Sequence, residues 1–244
     1  MNLLEITDKL VKDLDQLQLD QQIPYVYNPL KYAPEPYGAY LGKYGGSPKE
    51  VVLLGMNPGP WGMAQTGVPF GEVGVVRDWM NIRETVGKPD KMHMKRPVDG
   101  FKCRRSEVSG TRLWGWAKER FETPERFFSR FFVANYCPLI FFDTDGKNIT
   151  PDKLPAKVRS VLFPACDAAL METVRYFKPE YALGIGRFAF DRAVLALDDV
   201  DVTVGRILHP SPANPAANRG WAKIIEGQLR EMGIEVPGSD AGMR

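Results

Sequence analysis

Two polar residues stand where short apolar runs stop. Asn57 follows Val51-Val52-Leu53-Leu54 within Gly55-Met56-Asn57-Pro58-Gly59-Pro60, and His209 follows Gly205-Arg206-Ile207-Leu208 and opens His209-Pro210-Ser211-Pro212. A brief apolar run that ends in a Gly/Pro-rich turn reads as a buried strand. Asn135 closes a third run, Phe131 to Tyr136. A carboxamide can orient water or read a hydrogen-bonding edge but is a poor base, whereas an imidazole donates, accepts or titrates. Any one of these residues could simply cap a turn. Three of them at one sheet edge are harder to explain that way. Gly59, Gly62, Gly67 and Gly71 would let backbone approach a ligand, and Pro58, Pro60 and Pro69 would stiffen the loop. Phe70, in Val68-Pro69-Phe70-Gly71, would offer a stacking platform for a flat ligand.

The elements that must position these residues alternate in type. Leu3, Ile6, Leu10, Leu14 and Leu17 have helical spacing. Pro24 to Ser47 reads as loop and short turns, and Val51 to Met56 as the first strand. Arg77 to Ile82 could begin a helix, and Lys88 to Arg105 is irregular. Helices over Trp114 to Phe121 and Pro124 to Arg130 precede the strand at Phe131. A long helix spans Leu154 to Phe177, with a break expected at Pro164. Then come a strand at Tyr181 to Ile185, a helix at Phe188 to Leu197, a strand at Val202 to Leu208 and a helix at Trp221 to Met232. Strands alternating with helices imply a parallel sheet covered on both faces, and such sheets bind ligands outside the carboxyl ends of their strands.

The 244 residues, 44% hydrophobic, suffice for one large core, and a single domain over 1–236 is expected, with 237–244 as a flexible tail. A net charge of +2 imposes no global field. Cys103, Cys137 and Cys166 are odd in number and lack C-x-x-C spacing, which disfavours a disulfide framework, a zinc site or an iron–sulfur cluster and fits a reducing compartment. Met1 to Gln18 alternates charges with leucines instead of forming an apolar targeting segment, and no run approaches membrane-spanning length. An intracellular location is expected, cytoplasmic in a bacterium or nuclear in a eukaryote.

The stretch Gly55 to Val73 resembles the first motif of the single-strand-selective monofunctional uracil-DNA glycosylases, a branch of the uracil-DNA glycosylase superfamily. The likeness continues through Tyr25-Val26-Tyr27-Asn28-Pro29, Ser106-Glu107-Val108-Ser109-Gly110, Asn135-Tyr136-Cys137-Pro138-Leu139 and His209-Pro210-Ser211-Pro212. It implies a three-layer α-β-α fold with a four-stranded parallel sheet. It also implies hydrolysis of the N-glycosidic bond of uracil and 5-hydroxymethyluracil in single- and double-stranded DNA. The reaction would need no cofactor and no metal, the protein would be a monomer, and an abasic site would remain for base excision repair.

By that resemblance Asn57 positions the attacking water, and His209 hydrogen-bonds uracil O2 as negative charge develops there. Asn135 reads the Watson–Crick edge, Phe70 stacks on the flipped base, and backbone at Met56 and Gly59 lines the side facing C5. Enzymes doing such chemistry extrude the base from the stack. The loop Pro210-Ser211-Pro212-Ala213 would wedge into the duplex, although Ala213 stands where the family's vertebrate members carry an intercalating arginine. Lys95, Arg96, Lys102, Arg104 and Arg105, in a lysine- and arginine-rich stretch, would meet phosphates. His93, within the same stretch, reads as an exposed residue without a partner.

Three further readings compete. Gly184-Ile185-Gly186-Arg187-Phe188-Ala189 matches a dinucleotide fingerprint, yet the next strand ends in His209 where an acidic residue is required. Its glycines fit close helix–strand packing better. The second is a glycosylase of broader preference, acting also on deaminated purines such as xanthine. The third is a non-catalytic DNA-binding member of the fold.

Overall fold

The computed structural model describes residues 1–238, and the remainder of the expected tail, 239–244, lies outside the described residues. Four strands form the central sheet, and three shorter ones form a second, antiparallel sheet. In chain order the strands are β1 Tyr25–Tyr27, β2 Val51–Gly55, β3 Phe131–Asn135, β4 Ile140–Phe142, β5 Asn148–Ile149, β6 Tyr181–Ile185 and β7 Thr203–Ile207. The central sheet has the order β3-β2-β6-β7 and every pairing in it is parallel. The small sheet has the order β1-β4-β5.

The helices are α1 Leu3–Asp15, α2 Pro29–Tyr32, α3 Pro34–Tyr44, α4 Met63–Thr66, α5 Val108–Phe121, α6 Pro124–Phe128, α7 Ala156–Phe177, α8 Arg187–Ala196 and α9 Trp221–Glu231. Successive strand residues point to opposite faces. Leu53 and Leu183 join Tyr40, Leu113, Trp114, Phe127, Ile225 and Leu229 from α3, α5, α6 and α9. Leu54 and Ala182 join Leu14, Leu162, Cys166, Leu170 and Ala193 from α1, α7 and α8. Helices therefore cover both faces, giving the expected three-layer α-β-α arrangement. The phenylalanine runs are core: Phe127 stacks on Phe131 at 5.2 Å, and Trp116 meets both rings edge to face. Among the described residues no helix is long and apolar enough to cross a membrane.

Three expectations from the sequence require correction. Pro24 to Ser47 is mostly ordered structure: β1, α2 and the eleven-residue α3. Pro34 occupies the first turn of α3, where the missing N–H costs nothing, so the prolines that suggested a loop start a helix instead. The helix α7 runs unbroken through Pro164. Pro164 and Ser160, the residue one turn back whose carbonyl the ring leaves free, both lie on the exposed face, where water can take the unused acceptor. The helix expected from Arg77 is a single π turn, Val75–Trp79.

At Gly184 an added Cβ would lie 2.2 Å from the Phe190 backbone nitrogen and 2.4 Å from its Cα, so the missing side chain is what lets α8 close on β6. Gly184→Ala should therefore cost about 2–3 kcal/mol, the upper part of the ~1–3 kcal/mol range for forced overpacking. Calorimetry should find the thermal midpoint lowered by about 5–10 °C; an unchanged midpoint would mean the helix can move away freely.

Candidate active site

The chain leaves β2 toward β3 on one side of the sheet and leaves β6 toward β7 on the other, so the adjacent carboxyl ends of β2 and β6 form a topological switch point. An open cleft of about 400 Å³ lies here, lined by Asn57, Gly59, Phe70, Glu107, Asn135 and His209 among others. The strand-end residues singled out in the sequence are thus brought together. Parallel pairing opposes Gly55 to Asn135, and the ladder continues past the strands, with Tyr136 N–H donating to Gly55 O at 2.8 Å and Cys137 N–H to Met56 O at 2.9 Å. The spacing between Asn57 and Asn135 is therefore set by sheet hydrogen bonds.

Asn57 donates its Nδ2 to Leu139 O at 3.0 Å. That bond fixes the amide plane and leaves Oδ1 as the acceptor without a partner among the described residues. Asn135 gives its Nδ2 only to the Met63 sulfur, at 3.2 Å, a weak acceptor, while its Oδ1 is buried and unpaired. An unpaired buried acceptor is costly, and a ligand donor is its natural complement.

Phe70 lies at φ +55°, in the left-handed region that a bulky residue seldom adopts. Its carbonyl explains how that conformation persists. It accepts from Trp114 Nε1 at 3.1 Å and from Glu72 N–H at 2.8 Å, and α5 comes so near that a Cβ on Gly110 would lie 2.1 Å from the same oxygen. The ring is half-buried and rests over Gly55, where a Cβ would lie 2.5 Å from its edge. It stands 6.4 Å from the His209 ring.

His209 is held from behind. Leu208 N–H donates to Gln228 Oε1 at 2.8 Å, and its carbonyl accepts from Trp221 Nε1 at 2.7 Å, both partners lying on α9. Gly186, at φ +88°, leaves room beside the imidazole, since a Cβ there would lie 3.1 Å from that of His209. The Ser211 backbone N–H points at His209 Nδ1 at 3.0 Å. A backbone N–H can only donate, so Nδ1 is the acceptor and the neutral ring carries its proton on Nε2. Burial lowers the imidazole pKa from its ordinary value.

The first-motif glycines serve packing as well as access. Gly59 and Gly62 accommodate the Glu107 side chain, and Gly71 accommodates Thr66 and Val68. Arg112, which carries no signal in the sequence, clamps the loop after His209: its guanidinium donates to Pro210 O at 3.0 Å and to Asn218 Oδ1 at 2.8 Å, while Asn218 Nδ2 donates to Pro212 O at 2.9 Å. An isolated arginine on a helical face gives no hint of such a role. Pro212 and Ala213 are exposed on this loop, and Ser211 lines the cleft.

Of the basic residues, Arg105 stacks on Trp61 at 4.3 Å and Arg96 lies 5.5 Å from the same ring, which places both beside the first motif. Lys95, Lys102 and Arg104 are exposed on the same segment, and none of them lines the cleft. His93 is not exposed. It is 6% accessible, its backbone N–H donates to Tyr27 Oη at 2.7 Å, its Nδ1 accepts from Lys95 N–H at 3.0 Å and its Nε2 lies 3.0 Å from Thr144 O. It pins the basic segment to the small sheet. Among the described residues no group of three or more His, Cys, Asp or Glu side chains could hold a metal ion.

Fold and cleft together define a three-layer α/β protein with a cleft at the carboxyl edge of its sheet, where open hydrogen-bonding groups stand beside an aromatic ring. Residues 43–225 match the model of the uracil DNA glycosylase superfamily, and the chain belongs to that superfamily. It is 48% identical over 228 residues to the single-strand selective monofunctional uracil DNA glycosylase of Bos taurus, covering 93% of this chain and 84% of that one. The protein of the same name from Rattus norvegicus is also 48% identical, over 233 residues, or 95% of this chain and 84% of its own length. The crystal structure of SMUG2 from Pedobacter heparinus superposes with a TM-score of 0.63 at 16% identity, over 93% of this chain and 98% of that one, a likeness of fold.

The His209 geometry predicts that nitrogen NMR will find a ring neutral at pH 7, protonated on Nε2, and titrating below the ordinary value of about 6.5. Because the folded chain binds this proton less readily than the unfolded one, the ring's contribution to stability is present above the ordinary pKa and is lost as pH falls through the lowered one. A ring found cationic at pH 7 would contradict the arrangement.

Proposed function

We propose that this chain is a monofunctional uracil-DNA glycosylase that flips uracil out of DNA and hydrolyses its N-glycosidic bond. The observation that carries this is the set of open hydrogen-bonding positions around the Phe70 ring: an acceptor at Asn135 Oδ1 and a donor at His209 Nε2. Uracil presents the complement, an N3–H donor and carbonyl acceptors. Cytosine offers an acceptor at N3 and would leave Asn135 Oδ1 facing another lone pair, a mismatch that such sites penalise heavily. The names of relatives at 48% identity support the same reading.

In the proposed reaction the base departs with negative charge shared onto O2, and the His209 Nε2–H meets that charge. Preorganised donors of this kind lower the barrier by about 2.7–4 kcal/mol each. The sugar becomes oxocarbenium-like, so the attacking water needs orientation more than deprotonation. Asn57 Oδ1, with its amide plane fixed by Leu139, supplies that orientation. Met56 and Gly59 border the side facing C5, where a 5-hydroxymethyl group would be accommodated. Arg96 and Arg105 would meet phosphates, and the loop from Pro210 to Ala213 would enter the gap left by the flipped base.

Oligonucleotides carrying uracil, 5-hydroxymethyluracil, xanthine or thymine, single-stranded and duplex, test the reading. Release of the uracils but not thymine, with alkali needed to cut the strand, is expected. DNA binding without release of any base would overturn it, and equal release of xanthine would favour the broader preference. Asn57→Ala should lose at least about 100-fold in single-turnover rate, and an undiminished rate would move water positioning elsewhere. Ala213 offers only a methyl group on its rigid loop, so Ala213→Arg should raise activity on duplex more than on single strands. Equal changes on both would remove that loop from strand discrimination.

A further inference from the structure

Among the described residues four buried side-chain polar atoms lack a hydrogen-bond partner: Glu107 Oε2, Asn135 Oδ1, Asn148 Oδ1 and Arg159 Nε. Three of the four belong to residues lining the same cleft. Each such atom costs about 1–3 kcal/mol, so their gathering at one place marks a region shaped by function at the expense of stability. The Asn135 oxygen is accounted for by the base. Glu107 is not.

The Glu107 carboxyl lies against the inner side of the loop that carries Asn57. A Cβ on Gly59 would be 2.2 Å from Glu107 Oε2, and one on Gly62 would be 3.0 Å from Glu107 Cγ. The Trp61 backbone N–H faces the carboxyl and favours its charged form, against the burial that opposes it. Among the described residues no cation pairs with it, and burial pushes its pKa up. The residue is itself anchored at the start of α5, where its carbonyl accepts from Thr111 N–H at 2.8 Å and Thr111 Oγ1 at 3.1 Å. A side chain anchored at a fixed helix end thus packs against the loop backbone on either side of Pro60 and Trp61.

We propose that Glu107 is a positioning residue of the glycosylase reaction: seated against Gly59 and Gly62, it fixes the loop that aims Asn57 at the attacking water. This rests on the reading of the site given above. Glu107 acts through the loop and does not touch the substrate with its buried oxygen. An apolar side chain of similar length would fill the same space but remove the acceptor that faces the Trp61 N–H, and aspartate would fall one methylene short. Glutamine keeps both the length and an acceptor.

The test compares single-turnover uracil release at saturating enzyme for the wild type, Glu107→Ala, Glu107→Met and Glu107→Gln, with Kd for an uncleavable abasic-analogue oligonucleotide and a thermal midpoint for each. Glu107→Ala and Glu107→Met should slow the chemical step by about 10- to 100-fold, the scale of a small misplacement, with Kd within about threefold of wild type. Glu107→Gln should restore the rate to within about threefold. Three results would overturn the proposal: wild-type rate in folded Glu107→Ala, a Glu107→Gln variant as slow as Glu107→Ala, or Kd worsening in step with the rate. An inactive wild type would instead remove the glycosylase reading on which the proposal stands.

Discussion

The arrangement of the site depends on the close approach of α5 to the strand-end loops. Gly110 makes that approach possible, because any side chain there would collide with the Phe70 carbonyl. Once α5 is that near, its first two turns reach three separate loops. Glu107 packs beneath the loop bearing Asn57, Trp114 holds Phe70 in its left-handed conformation, and Arg112 ties down the segment after His209. The cost of the Phe70 conformation, about 1–3 kcal/mol for a non-glycine residue in that region, is offset within the same contact by two hydrogen bonds to its carbonyl. One helix end therefore couples parts of the cleft that arise far apart in sequence.

The sheet supplies the other half of the geometry. Parallel register opposes Gly55 to Asn135 and Ile185 to Ile207, so the cleft residues that follow each strand begin from fixed relative heights. Gly55 also leaves the space into which the Phe70 ring and the Asn135 amide both settle. A side chain at that single position would meet an aromatic edge and an amide oxygen at once. Rigid strands thus set the depth of the pocket, and the loops above them set only its rim.

The central sheet was readable because its strands are unambiguous. Val51-Val52-Leu53-Leu54 and Tyr181-Ala182-Leu183-Gly184-Ile185 are short apolar runs bounded by turn residues, and buried parallel strands carry that pattern. Asn57, Asn135 and His209 were legible for the same reason, as polar residues at the ends of such runs. The helix α3 was not, since Pro34, Pro36, Gly38 and Gly42 suggest a loop to anyone who cannot see that both prolines fall in the first turn. His93 looked solvated because its neighbours in sequence are charged, whereas its true neighbours, Tyr27 and Thr144, come from the small sheet and the turn beside it. Glu107 and Arg112 lay in plain view at the start of a helix. Their partners lie on distant loops, mostly as backbone atoms, and leave no trace in composition or spacing.

The proton on His209 has a consequence for how binding energy is used. With Nδ1 committed to its own loop, the ring offers one donor and no net charge near neutrality. A cationic imidazole would attract any phosphate-bearing strand, damaged or not, and so would strengthen the ground-state complex. In the proposed reaction a neutral donor would give little to intact DNA and most when the base oxygen becomes anionic. Interaction reserved for the transition state accelerates reaction without tightening the grip on substrate. In the proposed reaction, the same Ser211 N–H that fixes the tautomer would thereby favour release of undamaged DNA.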